Sequence, residues 1–156
     1  MPGLEDLYRE IILDHYRNPR NRGELECPPA HRVEGFNPLC GDEIVLYVQL
    51  DANGNLADIR ISGQGCSISQ SSASMMSAAV KGKSIAEIDD ITKAFKAMMS
   101  IHENSLEGGD ASEPVEAPDV KLGDLEALRG VVKFPVRIKC ATLAWNTLSQ
   151  GLSEAK

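Results

Sequence analysis

The sequence predicts an α+β fold, and three observations carry that prediction. Segments at 32–36, 44–50 and 57–62 are rich in Val, Ile, Leu and Tyr or Phe and read as strands. Between the second and third, Asp51-Ala52-Asn53-Gly54-Asn55 supplies the Asn-Gly signal of a hairpin, so the sheet of about three strands is antiparallel. On either side of the strands, apolar residues recur at helical spacing.

Taken in order, Leu4, Leu7, Tyr8, Ile11, Ile12 and His15 share one helical face, with Glu5 and Asp6 well placed near the positive end of the helix. This first helix is expected over 4–16 and stops before Pro19, which disfavours helical geometry in the residue ahead of it. His15, closing the apolar stripe, reads as a core or capping histidine rather than a ligand. The polar, proline-bearing stretch 21–29 reads as a loop, and Cys27 within it has no ligand-like setting. After the strands, the run from Ser67 to Val80 has no glycine or proline and many small side chains, which predicts a buried helix packed close to its neighbours. Ser84 and Glu87 have capping-box spacing and open a helix to about residue 101, with a core face of Ile88, Ile91, Phe95, Met98 and Met99. The acidic stretch that follows, with Gly108-Gly109, Pro114 and Pro118, reads as an exposed insertion at about 103–122. One or two helical turns are expected at 124–128, and a last helix from Pro135, a residue suited to a first helical position.

A chain of 156 residues suits one domain spanning 1–156. Only 4% of its residues are aromatic, so Ile, Leu, Val, Met and Ala must build the core. No apolar run approaches the roughly 20 residues of a membrane span, and the first residues lack a signal-peptide pattern, which points to the cytoplasm. In that reducing compartment the four cysteines are candidate ligands, nucleophiles or core residues rather than a disulfide framework. The net charge of −7 is concentrated: between Glu103 and Glu126 eight acidic residues face the single Lys121, and the remainder is neutral. That balance excludes a nucleic-acid footprint, although Arg17, Arg20, Arg22 and Arg32 form a local cationic group, either a solvated face or a surface for an acidic protein.

Chemistry is concentrated in Pro38-Leu39-Cys40-Gly41-Asp42-Glu43. Residues two apart in an extended segment point to one side, so Cys40 and Asp42 could grip one metal ion together. Two ligands do not hold a metal alone. Cys66, where a Gly-rich turn feeds a helix, and Cys140, in the second turn of the last helix, are the further candidates. Exposed amides at the start of the helix favour an anionic sulfur at Cys66. Cys140 lies on an apolar stripe and equally suits a plain core residue. Three thiolates and one carboxylate around a divalent ion leave net negative charge, which Arg137 and Lys139 could offset. Such a donor set suits zinc, and sulfur-rich sites also suit iron–sulfur chemistry.

Four runs together carry a family resemblance: His15-Tyr16-Arg17-Asn18-Pro19, Asn37-Pro38-Leu39-Cys40-Gly41-Asp42, Gly63-Gln64-Gly65-Cys66-Ser67-Ile68-Ser69, and Phe134-Pro135-Val136-Arg137-Ile138-Lys139-Cys140-Ala141-Thr142-Leu143-Ala144-Trp145. Over nearly its whole length the chain resembles the SufU branch of the IscU/NifU-like iron–sulfur cluster assembly proteins. The resemblance implies an α+β fold whose three-stranded antiparallel sheet packs against four to five helices, with a metal site of Cys40, Asp42, Cys66 and Cys140. It implies zinc as the metal, with iron or a [2Fe–2S] cluster as the alternative. It further implies a SufS-type cysteine desulfurase as partner, Cys40 as acceptor of its persulfide sulfur, Arg137 as electrostatic support, and downstream iron–sulfur assembly components as recipients. In such proteins a partner histidine can take a place on the zinc and free the cysteine that corresponds to Cys40. Lys139 stands where IscU scaffolds carry histidine, and the acidic insertion is of a SufU sort; both favour sulfur transfer over cluster building. Phe134-Pro135-Val136-Arg137 replaces the Leu-Pro-Pro-Val-Lys run by which IscU scaffolds meet their chaperone.

Overall fold

The three strand segments do assemble into one antiparallel sheet, in the order β1-β2-β3. A computed structural model describes residues 4–27, 30–38, 41–106, 123–133 and 135–155. The elements are α1 (Leu4–Arg17), β1 (His31–Asn37), β2 (Asp42–Leu50), β3 (Leu56–Gln64), α2 (Ser67–Val80), α3 (Ile85–Leu106), a 3₁₀ segment (Gly123–Lys133) and α4 (Pro135–Ala155). The β2–β3 turn is held by Asp51, whose Oδ1 accepts from the amides of Asn53 and Asn55 at 2.9 Å each. No helix among the described residues is long and apolar enough to cross a membrane.

Each strand runs further than its apolar signal. β1 reaches Asn37 and β2 begins at Asp42, because these two polar residues face each other in the register and close the hairpin. Alternation puts Asp42 on the face of Ile44, Leu46 and Val48, all buried, and Asn37 on the face of Val33. Helix α4 lies across this face of β1 and β2. A Cβ at Gly35 would run into the Thr147 hydroxyl, and one at Gly151 would stand 2.8 Å from Val33 Cγ1, so the missing side chains let helix and sheet touch.

Helix α2 is the buried helix that its small residues predict. Ser69, Ser71, Ser72, Ser74 and Ser77 are all fully buried, and Ser72 Oγ donates to the Ala141 carbonyl of α4 at 2.6 Å. His15 proves to be a core residue: Nδ1 meets Ser74 Oγ at 2.8 Å and Nε2 meets Asp124 Oδ2 at 3.0 Å, tying α1 to α2 and to the 3₁₀ segment. The capping box forms reciprocally, with Glu87 N–H donating to Ser84 Oγ (3.2 Å) and Ser84 N–H to Glu87 Oε1 (3.3 Å). Those bonds from the Ser84 amide and hydroxyl hold the Glu87 carboxyl below its ordinary range.

Two boundaries outside the sheet also differ from expectation. Helix α3 continues to Leu106, past the expected end at about residue 101, because neither glycine nor proline interrupts the chain before Gly108. The rest of the expected insertion, 107–122, lies outside the described residues. The 3₁₀ segment spans eleven residues rather than one or two turns, because Leu125, Ala127, Leu128 and Val131 are all drawn into the core. The core draws on β1, β2, β3, α2, α3, the 3₁₀ segment and α4, with Tyr8, Ile11 and Ile12 of α1 packed against it. Its scarce aromatics are used together: Phe95 and Trp145 stack with ring centroids 4.8 Å apart.

Candidate metal centre

Three structural joints converge at one end of the sheet. The turn from β1 to β2 ends at Asp42; β3 ends beside it, since Gln64 pairs with Glu43. The chain therefore enters α2 next to Asp42, and Cys66 becomes the N-cap of that helix, its sulfur accepting from Ser69 N–H at 3.4 Å. Helix α4, crossing β1 and β2, brings Cys140 in from the other side. The donor atoms of Asp42, Cys66 and Cys140 all lie within 4.8 Å of one another.

Burial makes the cluster unusual. Asp42 is 1% exposed and Cys140 0%, while Cys66 is partly open. Asp42 divides its oxygens: Oδ1 accepts the Cys66 amide at 2.8 Å, and Oδ2 lies 3.9 Å from Cys66 Sγ. Zinc–sulfur bonds of about 2.3 Å and zinc–oxygen bonds of about 2.0–2.2 Å set tetrahedral edges of roughly 3.5–3.8 Å. The separation at Oδ2 is near such an edge, and two soft sulfurs with one carboxylate oxygen fit zinc by donor type as well as by spacing.

Gly65 is what allows Asp42 so close to the start of α2. A Cβ there would stand 2.5 Å from Asp42 Oδ1 and 3.1 Å from its Cβ. Gly65→Ala is expected to push the carboxylate off the Cys66 amide and weaken zinc binding by about 10–100-fold, the range for disturbed ligand support. Competition against a chromophoric chelator measures it, and an unchanged dissociation constant would show that Asp42 is not held as described.

Of the residues singled out in the sequence, Asp42, Cys66 and Cys140 come together. Cys40 lies outside the described residues; the chain joins it to Asp42 through Gly41, whose φ of 68° is the left-handed geometry glycine takes readily. Arg137 and Lys139 are both exposed on α4 beside the buried Cys140. Cys27 is exposed in the loop after α1 and outside the cluster. Within the arginine group, Arg20 is paired with Asp14 at 2.6 Å and Arg32 with Glu34 at 2.5 Å. Asn37 is the residue that sequence reading missed except as part of a motif. Its amide donates to Asp42 Oδ2 at 3.3 Å and to Cys140 Sγ at 3.4 Å. The available signal was the register: a hairpin closed between 37 and 42 sets these two side chains on one face.

A family model for the NifU-like N-terminal domain matches residues 7–141. The chain belongs to the NifU-like N-terminal domain family. It is 44% identical over 151 residues to the zinc-dependent sulfurtransferase SufU of Bacillus subtilis (strain 168), covering 97% of this chain and 92% of that one. It is 39% identical over 152 residues to the iron–sulfur cluster assembly scaffold protein IscU of Streptococcus pyogenes serotype M1, covering 97% and 86%. A crystal structure of an iron–sulfur cluster assembly scaffold protein for the SUF system, from Fervidobacterium islandicum AW-1, superposes with a TM-score of 0.74 at 32% identity, covering 96% of this chain and 99% of that one. The family resemblance and the α+β fold expected from the four sequence runs are both borne out in this NifU-like domain.

Proposed function

We propose that this chain is a SufU-type iron–sulfur cluster assembly protein: a zinc-bound sulfur acceptor that takes persulfide sulfur from a SufS-type cysteine desulfurase in the cytoplasm and passes it to downstream assembly components. The observation that carries this reading is the Asp42–Cys66–Cys140 cluster, one donor short of a tetrahedral set, with Cys40 two residues before Asp42. The relative named a zinc-dependent sulfurtransferase supports it. Residues 1–156 are read as one domain, in keeping with a core that joins the described elements.

In this reading Asp42, Cys66 and Cys140 retain the metal and Cys40 is the thiol that reacts. When bound, zinc keeps its cysteine ligands as thiolates at neutral pH and so supplies a sulfur nucleophile. The Cys40 thiolate attacks the outer sulfur of the desulfurase persulfide; the sulfur–sulfur bond of the donor breaks, a new one forms at Cys40, and the donor cysteine departs as thiolate. The exchange conserves charge and needs no further oxidant. Asp42 is held by the Cys66 amide and does not leave with Cys40. Arg137 and Lys139, exposed on α4 and three and one residues before Cys140, are read as electrostatic support for a site rich in negative donors.

The alternative, a scaffold that assembles and hands on a [2Fe–2S] cluster, is favoured by the IscU relatives and by the sulfur-rich donor set. Desulfurase turnover measured with and without this protein tests the first reading. Wild type stimulates and Cys40→Ala does not; equal stimulation by Cys40→Ala would remove Cys40 as the acceptor. Iron and sulfide analysis after anaerobic purification separates the two, since a stoichiometric cluster that survives isolation supports the scaffold.

A further inference from the structure

We infer that Asn37 is a positioning residue of the metal centre, its side-chain amide holding the donor atoms of Asp42 and Cys140 in place for the ion. The inference rests on the metal-binding reading above. An asparagine amide has two N–H donors, and here its nitrogen lies 3.3 Å from Asp42 Oδ2 and 3.4 Å from Cys140 Sγ, so that one N–H can serve each acceptor. Chemistry decides the orientation of the amide. Both neighbours are acceptors when they bind metal, so the opposite orientation would set the amide oxygen against a carboxylate and a sulfur.

The environment makes the contacts consequential. Asn37 is 6% exposed, Asp42 1% and Cys140 0%, so none of the three can be well hydrated in exchange. Asp42 is then fixed on both oxygens, Oδ1 by the Cys66 amide at 2.8 Å and Oδ2 by Asn37. Cys140 comes from α4, 103 residues further along the chain, and the backbone pairing of β1 with β2 does nothing to hold its sulfur. The Asn37 side chain is therefore a link between the β1–β2 hairpin and α4 made at the donor atoms themselves. N–H dipoles aimed at a carboxylate and a sulfur favour the anionic donors that an ion requires, and they restrict the rotation of both side chains.

Asn37→Leu tests this, because it keeps nearly the same volume and removes both donors. The zinc dissociation constant, measured by competition with a chromophoric chelator, is expected to rise about 10–100-fold. In the cobalt-substituted protein the sulfur-to-metal charge-transfer and ligand-field bands are expected to shift, reporting altered ligand geometry. The thermal unfolding midpoint of the metal-free variant is expected to fall by about 2–12 °C from that of metal-free wild type, because the buried Asp42 oxygen and Cys140 sulfur lose their donor, and unfolding to remain one cooperative transition, because the backbone register survives. Asn37→Gln, which keeps the N–H donors on a longer side chain, is expected to bind zinc more tightly than Asn37→Leu. If Asn37→Leu does not fold, Asn37→Ala takes its place and is judged by the same readouts. Zinc affinity within about threefold of wild type together with an unchanged cobalt spectrum overturns the role of Asn37 alone. A wild-type chain that takes up no zinc overturns the metal reading and this inference together.

Discussion

Removing the metal lowers the midpoint of thermal unfolding by about 8–16 °C and leaves a folded chain. An ion that binds only the native state at a free concentration a thousandfold above its dissociation constant stabilises by about 4 kcal/mol. For a chain of this length each kcal/mol moves the midpoint by about 2–4 °C. The metal-free chain stays folded because the centre sits where strand ends and helix starts meet, whereas the core is elsewhere: Leu46, Ile59, Met76, Phe95, Trp145 and Leu148 are all fully buried without any contribution from the ion. Calorimetry and circular dichroism before and after chelation check both halves of the expectation. Complete unfolding on chelation would mark a structural zinc domain instead, and no shift at all would mean that no ion is held.

Trp145→Ala destabilises the chain by about 3–5 kcal/mol, the range for deleting a large buried aromatic, which corresponds to a fall of about 6–20 °C in the unfolding midpoint. Trp145 is fully buried, stacks on Phe95 and lies on α4 five residues after Cys140, so its loss removes the largest side chain holding that helix to the core. One feature tempers the value of this tryptophan. Its Nε1 is buried with no hydrogen-bond partner among the described residues, an arrangement that itself opposes folding. Trp145→Phe keeps an aromatic ring against Phe95 and removes the orphaned N–H, so it is expected to lose less than half as much stability as Trp145→Ala. Urea unfolding followed by circular dichroism compares the two; a Phe variant as weak as the Ala variant would show that ring size, not the stack, is what matters.

Much of the fold was legible from local pattern. Apolar, β-branched segments and the Asn-Gly turn announced β2 and β3, helical spacing announced α1 and α3, and the Ser84–Glu87 pair marked where α3 begins. The strand ends and the 3₁₀ segment, which run past their local signals, share a cause. Asn37, Asp42 and Gln64 are polar or small-neighboured residues at strand ends, and nothing local says that they remain paired; the neighbouring strand supplies that pairing. The 3₁₀ segment likewise owes its length to burial against other elements rather than to its own propensity.

The candidate site divides in the same way. Residue chemistry nominated Cys40, Asp42 and Cys66 in glycine-bearing turns and Cys140 on the last helix as candidates, and the family resemblance joined the four into one site. Convergence was not visible there: Asp42, Cys66 and Cys140 are separated by 24 and 74 residues, and only the sheet register and the crossing of α4 bring them within 4.8 Å. Asn37 belongs wholly to the second category. An asparagine is an ordinary polar residue until a hairpin sets it opposite Asp42 and a distant helix lays a sulfur on its second N–H, since hydrogen bonds depend on distances that the order of residues does not contain. By itself the sequence determined which chemistry was on hand and which local elements would form; the tertiary structure decided which of those groups can act on the same atom.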